Sequence, residues 1–172
     1  MPVRSQKGRG GVLRAREPMK PRLSSSLGEA TPAGHALADD VVHRRLGFFD
    51  FDLSGRSADS VELEQCRFRN ADLSGTSLAG ATVRDCLVEH SNLANLRAGK
   101  STMLRVGLSV SRLTGLHWID GSLRDVKVSQ CRADLASFRF SDFHNVVFEG
   151  CNLTRSDFQD ADVGGVQSVT VI

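Results

Sequence analysis

Apolar side chains recur at every fifth position over most of the chain. From Phe48 to Val163 the register covers 24 consecutive positions, and all of them are apolar. Because only 40% of the chain is apolar, chance would produce such a series on the order of once in 10^9 to 10^10 trials. An α-helix would spread this stripe around its circumference, and a flat strand would turn alternate members to solvent. The pattern therefore predicts a backbone that turns a corner every five residues and points the same side chain inward each time.

The position two residues before each of these apolar residues is also restricted. Most units place Ala, Ser, Cys, Val, Thr or Gly there, and Arg56 is the one charged exception. Asp or Asn is frequent between the two positions, as at Asp72 and Asn92. Because these residues repeat at one slot, we interpret them as caps for backbone groups at the corners and not as paired catalytic carboxylates.

Four segments show the repeat most clearly: AlaAspLeuSerGly at 71–75, SerAsnLeuAlaAsn at 91–95, CysAsnLeuThrArg at 151–155 and SerAspPheGlnAsp at 156–160. They resemble the pentapeptide-repeat family. The resemblance implies an all-β solenoid, a right-handed quadrilateral pentapeptide-repeat β-helix with four units per coil and about six coils. Residues one coil apart should then stack, Phe48 on Phe68 and Phe138 on Phe158.

The flanks of the repeat have a different composition. Residues 1–22 hold seven bases and one acid, and Ser, Gly, Ala and Thr dominate the next dozen residues. Such a segment buries little apolar surface, so we predict a disordered basic tail over 1–35. Met19 offers an alternative start, which leaves open whether residues 1–18 belong to the natural protein.

Two short caps are expected at the ends of the rod. Leu37, Val41, Val42 and Leu46 fall on roughly one helical face, which predicts a capping helix over 36–45. The β-helix should then cover 46–165. Residues 166–172 are expected to form a C-terminal edge strand or cap, through which two copies could pair.

The sequence predicts a cytoplasmic protein with reduced thiols. No apolar run approaches the length of a membrane helix. Arg44 and Arg45 begin a stretch that resembles a twin-arginine signal, but acids at Asp50 and Asp52 interrupt the apolar region that such a signal needs.

Candidate chemistry is sparse. Cys66 and Cys86, like Cys131 and Cys151, should be stacked neighbours, and we interpret them as buried structural thiols, with a redox pair or metal site as the alternative. His90, His117 and His144 should lie on different faces and therefore cannot converge on one metal ion. We predict no catalytic residues, no metal and no cofactor, and hence no enzymatic activity.

Charge changes sign along the repeat. Residues 46–96 and 140–165 are each net −4, whereas residues 97–139 are net +5. Outward apolar residues lie in or beside the basic band, and bases next to exposed apolar groups suit a protein interface. The candidate interaction surface comprises Arg97, Lys100, Leu104, Arg105, Arg112, Ile119, Arg124, Arg139 and Phe140.

Two classes of function remain open. The first is a rigid, non-enzymatic scaffold for an unidentified protein partner, with weak nonspecific nucleic-acid contact by the basic tail. The second is implied by the family resemblance: a DNA-mimicking binder of DNA gyrase or another type II topoisomerase that protects it from quinolones. The basic band argues against the second class, because a DNA channel would repel it.

Overall fold

The computed structural model describes residues 16–169, which contain eleven β-strands and no helix. The strands are β1 (Gly28–Glu29), β2 (Val42–Arg44), β3 (Leu46–Phe49), β4 (Glu62–Glu64), β5 (Arg67–Arg69), β6 (Thr82–Arg84), β7 (Leu87–Glu89), β8 (Thr102–Ser109), β9 (Ser122–Ser129), β10 (Asp142–Glu149) and β11 (Val166–Val169). All pairs are parallel. Apart from the β1–β3 pair, each joins residues twenty apart, such as Val88 with Leu108.

The rod has four faces, each formed by five residues per coil. The first face is 46–50, the second 51–55, the third 56–60 and the fourth 61–65, and each recurs every twenty residues. Strands form the fourth and first faces, whereas turns with single parallel bridges form the second and third. Eight strand segments stack along the first face, from β1 to β11. The solenoid therefore has about seven turns, slightly more than the six expected, because pairing extends beyond both ends of the 24-unit register.

A left-handed residue marks every corner. All 25 positions that are multiples of five between Asp40 and Asp160 have φ between 48° and 67°. Only five of them are glycine. Other residues adopt this conformation at a cost, which Asn and Asp reduce through local hydrogen bonds. The corner is therefore the element of the repeat that most restricts the backbone.

The predicted inward register fills the lumen. The Phe48 and Phe68 rings stack with centroids 4.6 Å apart, and those of Phe138 and Phe158 stack at 5.1 Å. The predicted stacking of residues one coil apart is thus confirmed. The register is wrong at its last member, since Val163 is 45% exposed at the C-terminal end, where no further full coil covers it.

Trp118 shows how the narrow lumen accepts its largest side chain. It is 3% exposed and occupies a column whose previous member is the small Ala98. Its indole also lies over Gly121, where an added Cβ would lie 2.6 Å from the indole nitrogen. Small residues next to Trp118 therefore compensate for its volume.

The predicted capping helix over 36–45 is wrong. Val42–Arg44 pairs in parallel with Glu62–Glu64, so the repeat begins one unit earlier than Phe48. His43 holds the inward position of this unit, is 4% exposed, and packs against Phe48 with ring centroids 5.7 Å apart. Because a polar residue occupied the slot, the apolar series did not reveal it.

The Asp and Asn residues of the repeat cap the corners, as the pattern predicts. The side-chain oxygens of Asp52, Asp72 and Asn92 each accept a hydrogen bond from the backbone N–H two residues later. All three lie on the second face, where the chain turns. On the second face, the Asp and Asn side chains of the repeat therefore have a structural role.

Leu113→Asp should unfold the rod. Leu113 is 2% exposed in the lumen, so the substitution buries a charge without a partner. Circular dichroism should show lost β-structure at a temperature where the parent is folded. Arg112→Asp changes the exposed residue next to it and should melt close to the parent; equal melting of both variants would contradict the inward register.

Candidate functional site

The four cysteines take part in a backbone-capping ladder. Cys66 Sγ lies 3.4 Å from the His43 carbonyl, and Cys86 Sγ lies 3.4 Å from the Leu63 carbonyl. Serine hydroxyls make the same contact elsewhere, as Ser101 does to the Leu78 carbonyl at 3.0 Å. Burial raises the pKa of the Cys86 thiol, which disfavours the reactive thiolate. All four cysteines are free and buried, in keeping with structural thiols.

Histidines do not assemble into a site. His90, His117 and His144 lie on the first, third and fourth faces, respectively. His35 and His43 are neighbours at the N-terminal end, with ring centroids 5.8 Å apart, and burial lowers the pKa of His43. Within residues 16–169, no group of three or more His, Cys, Asp or Glu side chains could hold a metal ion.

The expectation of disorder over 1–35 fails for the residues that the structure describes. Residues 1–15 lie outside that part of the chain. Residues 16–22, which we call the strap, run along the corner between the fourth and first faces. The strap begins beside Gln167 near the C-terminal end and reaches Gln65 near the N-terminal end. Side chains at this corner hold the strap. Some accept hydrogen bonds from its backbone N–H groups, and others donate hydrogen bonds to its backbone carbonyl groups.

Two buried carboxylates anchor the strap. The Met19 N–H donates to Asp125 at 3.1 Å, and the Arg22 N–H donates to Asp85 at 2.9 Å. Both aspartates are 5% exposed. Asp85 also accepts two hydrogen bonds of 2.6 Å from the Arg105 guanidinium. Burial raises the pKa of Asp85, but hydrogen bonds from Arg105 and from the Arg22 backbone outweigh it, so this pKa lies below its usual value.

The nine candidate surface residues do not form one surface. Five of them lie on the third face or on its corner with the fourth: Arg97, Lys100, Ile119, Arg139 and Phe140. Leu104 and Arg124 stack in one column of the fourth face. Arg112 lies on the second face. Arg105 lies at the strap corner, where its contact with Asp85 leaves its side chain only 15% exposed.

Leu135, one of the outward apolar residues that the sequence places beside the basic band, adjoins the third face at its corner with the second. Leu135 is 53% exposed and Phe140 is 49% exposed, and they occupy the two corners of the same coil of this face. The Arg139 guanidinium lies 5.3 Å from the Phe140 ring centroid. We define the third-face patch as six residues: Arg97, Lys100, Ile119, Leu135, Arg139 and Phe140.

A model of the pentapeptide-repeat family matches residues 59–89 and 122–166 in eight copies. The chain is a pentapeptide-repeat protein. The matched residues include members of all four faces described above. No curated protein sequence matches this pentapeptide-repeat protein. In the part of the chain that the structure describes, no helix is long and apolar enough to cross a membrane.

Two solved structures are among those with similarity to this chain. One is a trypsin-treated variant of QnrB1, a plasmid-mediated fluoroquinolone resistance protein, with 16% identity, 83% of this chain and 91% of that chain covered, and a TM-score of 0.43. Another is the pentapeptide-repeat protein Rfr23 from the cyanobacterium Cyanothece 51142, with 10% identity, 76% and 88% coverage, and a TM-score of 0.39.

Acid should weaken the rod partly through Asp85. Its lowered pKa means that its contribution to stability is present above the ordinary carboxyl pKa and is lost as the pH falls through the folded-state pKa. In Asp85→Asn this contribution is absent at every pH. Urea unfolding between pH 6 and pH 3 should therefore show a shallower loss of stability in the variant. Asp160→Asn, at an exposed corner, is the control and should keep the parental pH dependence; an unchanged slope in Asp85→Asn would contradict the assignment.

Proposed function

We propose that this pentapeptide-repeat protein is a non-enzymatic interaction scaffold that binds a protein partner through the third-face patch. The observation that carries the proposal is the pair of exposed apolar residues, Leu135 and Phe140, in left-handed corners. Their φ angles are 59° and 58°. Neither residue gains burial in the free chain to offset the backbone cost. Burial in a complex supplies that gain.

The charge around the pair suggests the partner's chemistry. Arg97, Lys100 and Arg139 surround the apolar residues, with the acid Asp120 among them, whereas Asp59, Asp157 and Asp160 lie on the outer coils of the same face. Arg139 is only loosely paired, since its Nε lies 3.7 Å from Asp157. A partner with apolar side chains beside carboxylates would complement this pattern.

A rod filled by its own side chains supports the non-enzymatic part of the proposal. A surface depression of about 830 Å³ lies near the C-terminal end between Arg124, His144 and Asp162. Its buried carboxylate, Asp125, is already hydrogen-bonded to Met19 and Asn145, which leaves little capacity for proton transfer. Free buried thiols suit a reducing compartment such as the cytoplasm.

Gyrase or another type II topoisomerase is the second candidate partner. The acid-rich stretches 46–96 and 140–165 favour it, because a rod about 34 Å long with acidic turns offers DNA-like charge. The basic residues of the third-face patch oppose it.

In a supercoiling assay with purified gyrase, we expect neither inhibition nor quinolone protection at micromolar protein. Either effect would favour the second candidate.

The third-face patch should be the contact surface in cells. A photo-crosslinking residue at Ser137, in the centre of the patch, should yield discrete adducts with a partner protein. Leu135→Asn combined with Phe140→Asn should abolish them, since both remove apolar contact area while suiting a left-handed backbone.

The matched control is Val110→Asn, which makes the same change at an exposed corner between the first and second faces. It should leave the adducts intact. A crosslinker at Gln130, on that same corner column, should give none. Adducts that survive the double variant, or that form equally from Gln130, would rule out the third face.

A further inference from the structure

We propose that the corner groove between the fourth and first faces is a binding site for an extended, proline-containing peptide of a partner protein, and that the strap fills it in cis as a competing ligand. This site is separate from the third-face patch. It is built by Gln65, Asp85, Asp125 and Asn145, all at left-handed corners of one column.

The groove and the strap share a period. Asp85 and Asp125 lie two coils apart, about 9.6 Å along the rod. Met19 and Arg22, whose amides they bind, are three residues apart, and three residues of polyproline II span about 9.3 Å. A polyproline II strand therefore presents one N–H to every second coil without changing its conformation. Pro18 and Pro21 repeat with the same spacing, and each fixes its own φ near the polyproline II value.

The groove floor is shaped for the prolines. Pro18 is buried. An added Cβ on Gly107 would lie 4.0 Å from Pro21 and only 2.8 Å from the Leu87 side chain. A larger residue at this position would therefore clash with Leu87 and narrow the space beside Pro21. Val147, at an outward-facing position of β10, is only 7% exposed. A space of about 340 Å³ remains beside the prolines.

Charge complements the strap at two points. Burial raises the pKa of Asp85, but hydrogen bonds from Arg105 and the Arg22 backbone, with a smaller contribution from the charge of Arg22, lower it overall. Glu149 raises the pKa of Lys127, with a smaller contribution from Glu17, which lines the same space as Lys127. A ligand with an acid before the first proline and a base after the second therefore fits the groove in one direction along the rod.

The rod contacts the strap mainly through features that another peptide can reproduce. Its polar contacts are with the strap's backbone N–H and carbonyl groups, as in the 2.8 Å bond that Gln65 donates to the Arg22 carbonyl. The side chains of Glu17, Met19 and Lys20 are exposed. The strap adds no strand to the sheet. Recognition of a preformed polyproline II segment is a general mode of peptide binding; in this groove, corner carboxylates and amides make the polar contacts.

The test uses the full chain with Met19→Pro and Arg22→Pro, which removes both anchoring N–H groups but keeps a polyproline-compatible backbone. The probe is a fluorescein-labelled peptide with the sequence of residues 16–24. Fluorescence anisotropy should show saturable binding to this variant at least tenfold tighter than to the parent, whose groove is filled. The same peptide N-methylated at the amides of its Met and second Arg should not bind.

Lys20→Pro is the matched control, because the Lys20 N–H donates no hydrogen bond to any other residue within 16–169. Its strap should stay in place and exclude the peptide. A folded double variant that does not bind the peptide, or a parent that binds it equally well, would overturn the proposal in favour of a purely structural strap.

Hydrogen exchange on the parent keeps the test decisive if the double variant does not fold. The Met19 and Arg22 amides should exchange at least tenfold more slowly than the Lys20 amide, and equal rates would overturn the proposal. The third-face variants Leu135→Asn and Phe140→Asn should exclude the peptide as the parent does, so failure of one site can be told from failure of the other.

Discussion

One backbone constraint determines the rest of the molecule: a residue in the left-handed conformation at every fifth position. It turns the chain through a corner and returns the same side chain to the lumen, so the axial hydrogen bonds and the stacked core both follow from it. Both candidate surfaces are also built on corners. Side chains at one corner column bind the strap through Asp85 and Asp125, and apolar residues at two other columns, Leu135 and Phe140, form the edges of the third-face patch.

The fold could be predicted from the sequence because the lumen admits only apolar or small side chains, which makes the register visible. The prediction failed at the first turn, where the lumen contains a polar side chain. His43 occupies an inward position at the first turn, and its imidazole hydrogen-bonds to the Ala36 carbonyl at 3.2 Å. A polar residue there ended the apolar series; Leu37, Val41 and Leu46 fit a helix, whereas only Val41 and Leu46 also fit the five-residue repeat. Pairing with β4 decided between them.

The candidate surface was predicted less well because charge was counted along the chain, whereas a coil distributes neighbours in sequence over four faces. Arg105 and Arg112 belong to the same basic band, yet one is bound to Asp85 and the other lies on the second face. The strap did leave a signal, the spacing of Pro18 and Pro21, but its meaning depends on the rise per coil. The agreement between the proline spacing and the rise over two coils can be recognised only once the coil geometry is known.

Gly75→Ala tests the corner constraint most directly. Gly75 has φ of 64°, and a Cβ there would meet nothing within 4 Å, so only the backbone conformation decides the outcome. The left-handed corner predicts a loss of about 1 kcal/mol in the free energy of unfolding. At an ordinary φ the same substitution would stabilise the chain by about 0.4–1 kcal/mol, because alanine restricts the unfolded state. A gain in stability, measured by urea unfolding, would contradict the square coil on which both surfaces depend.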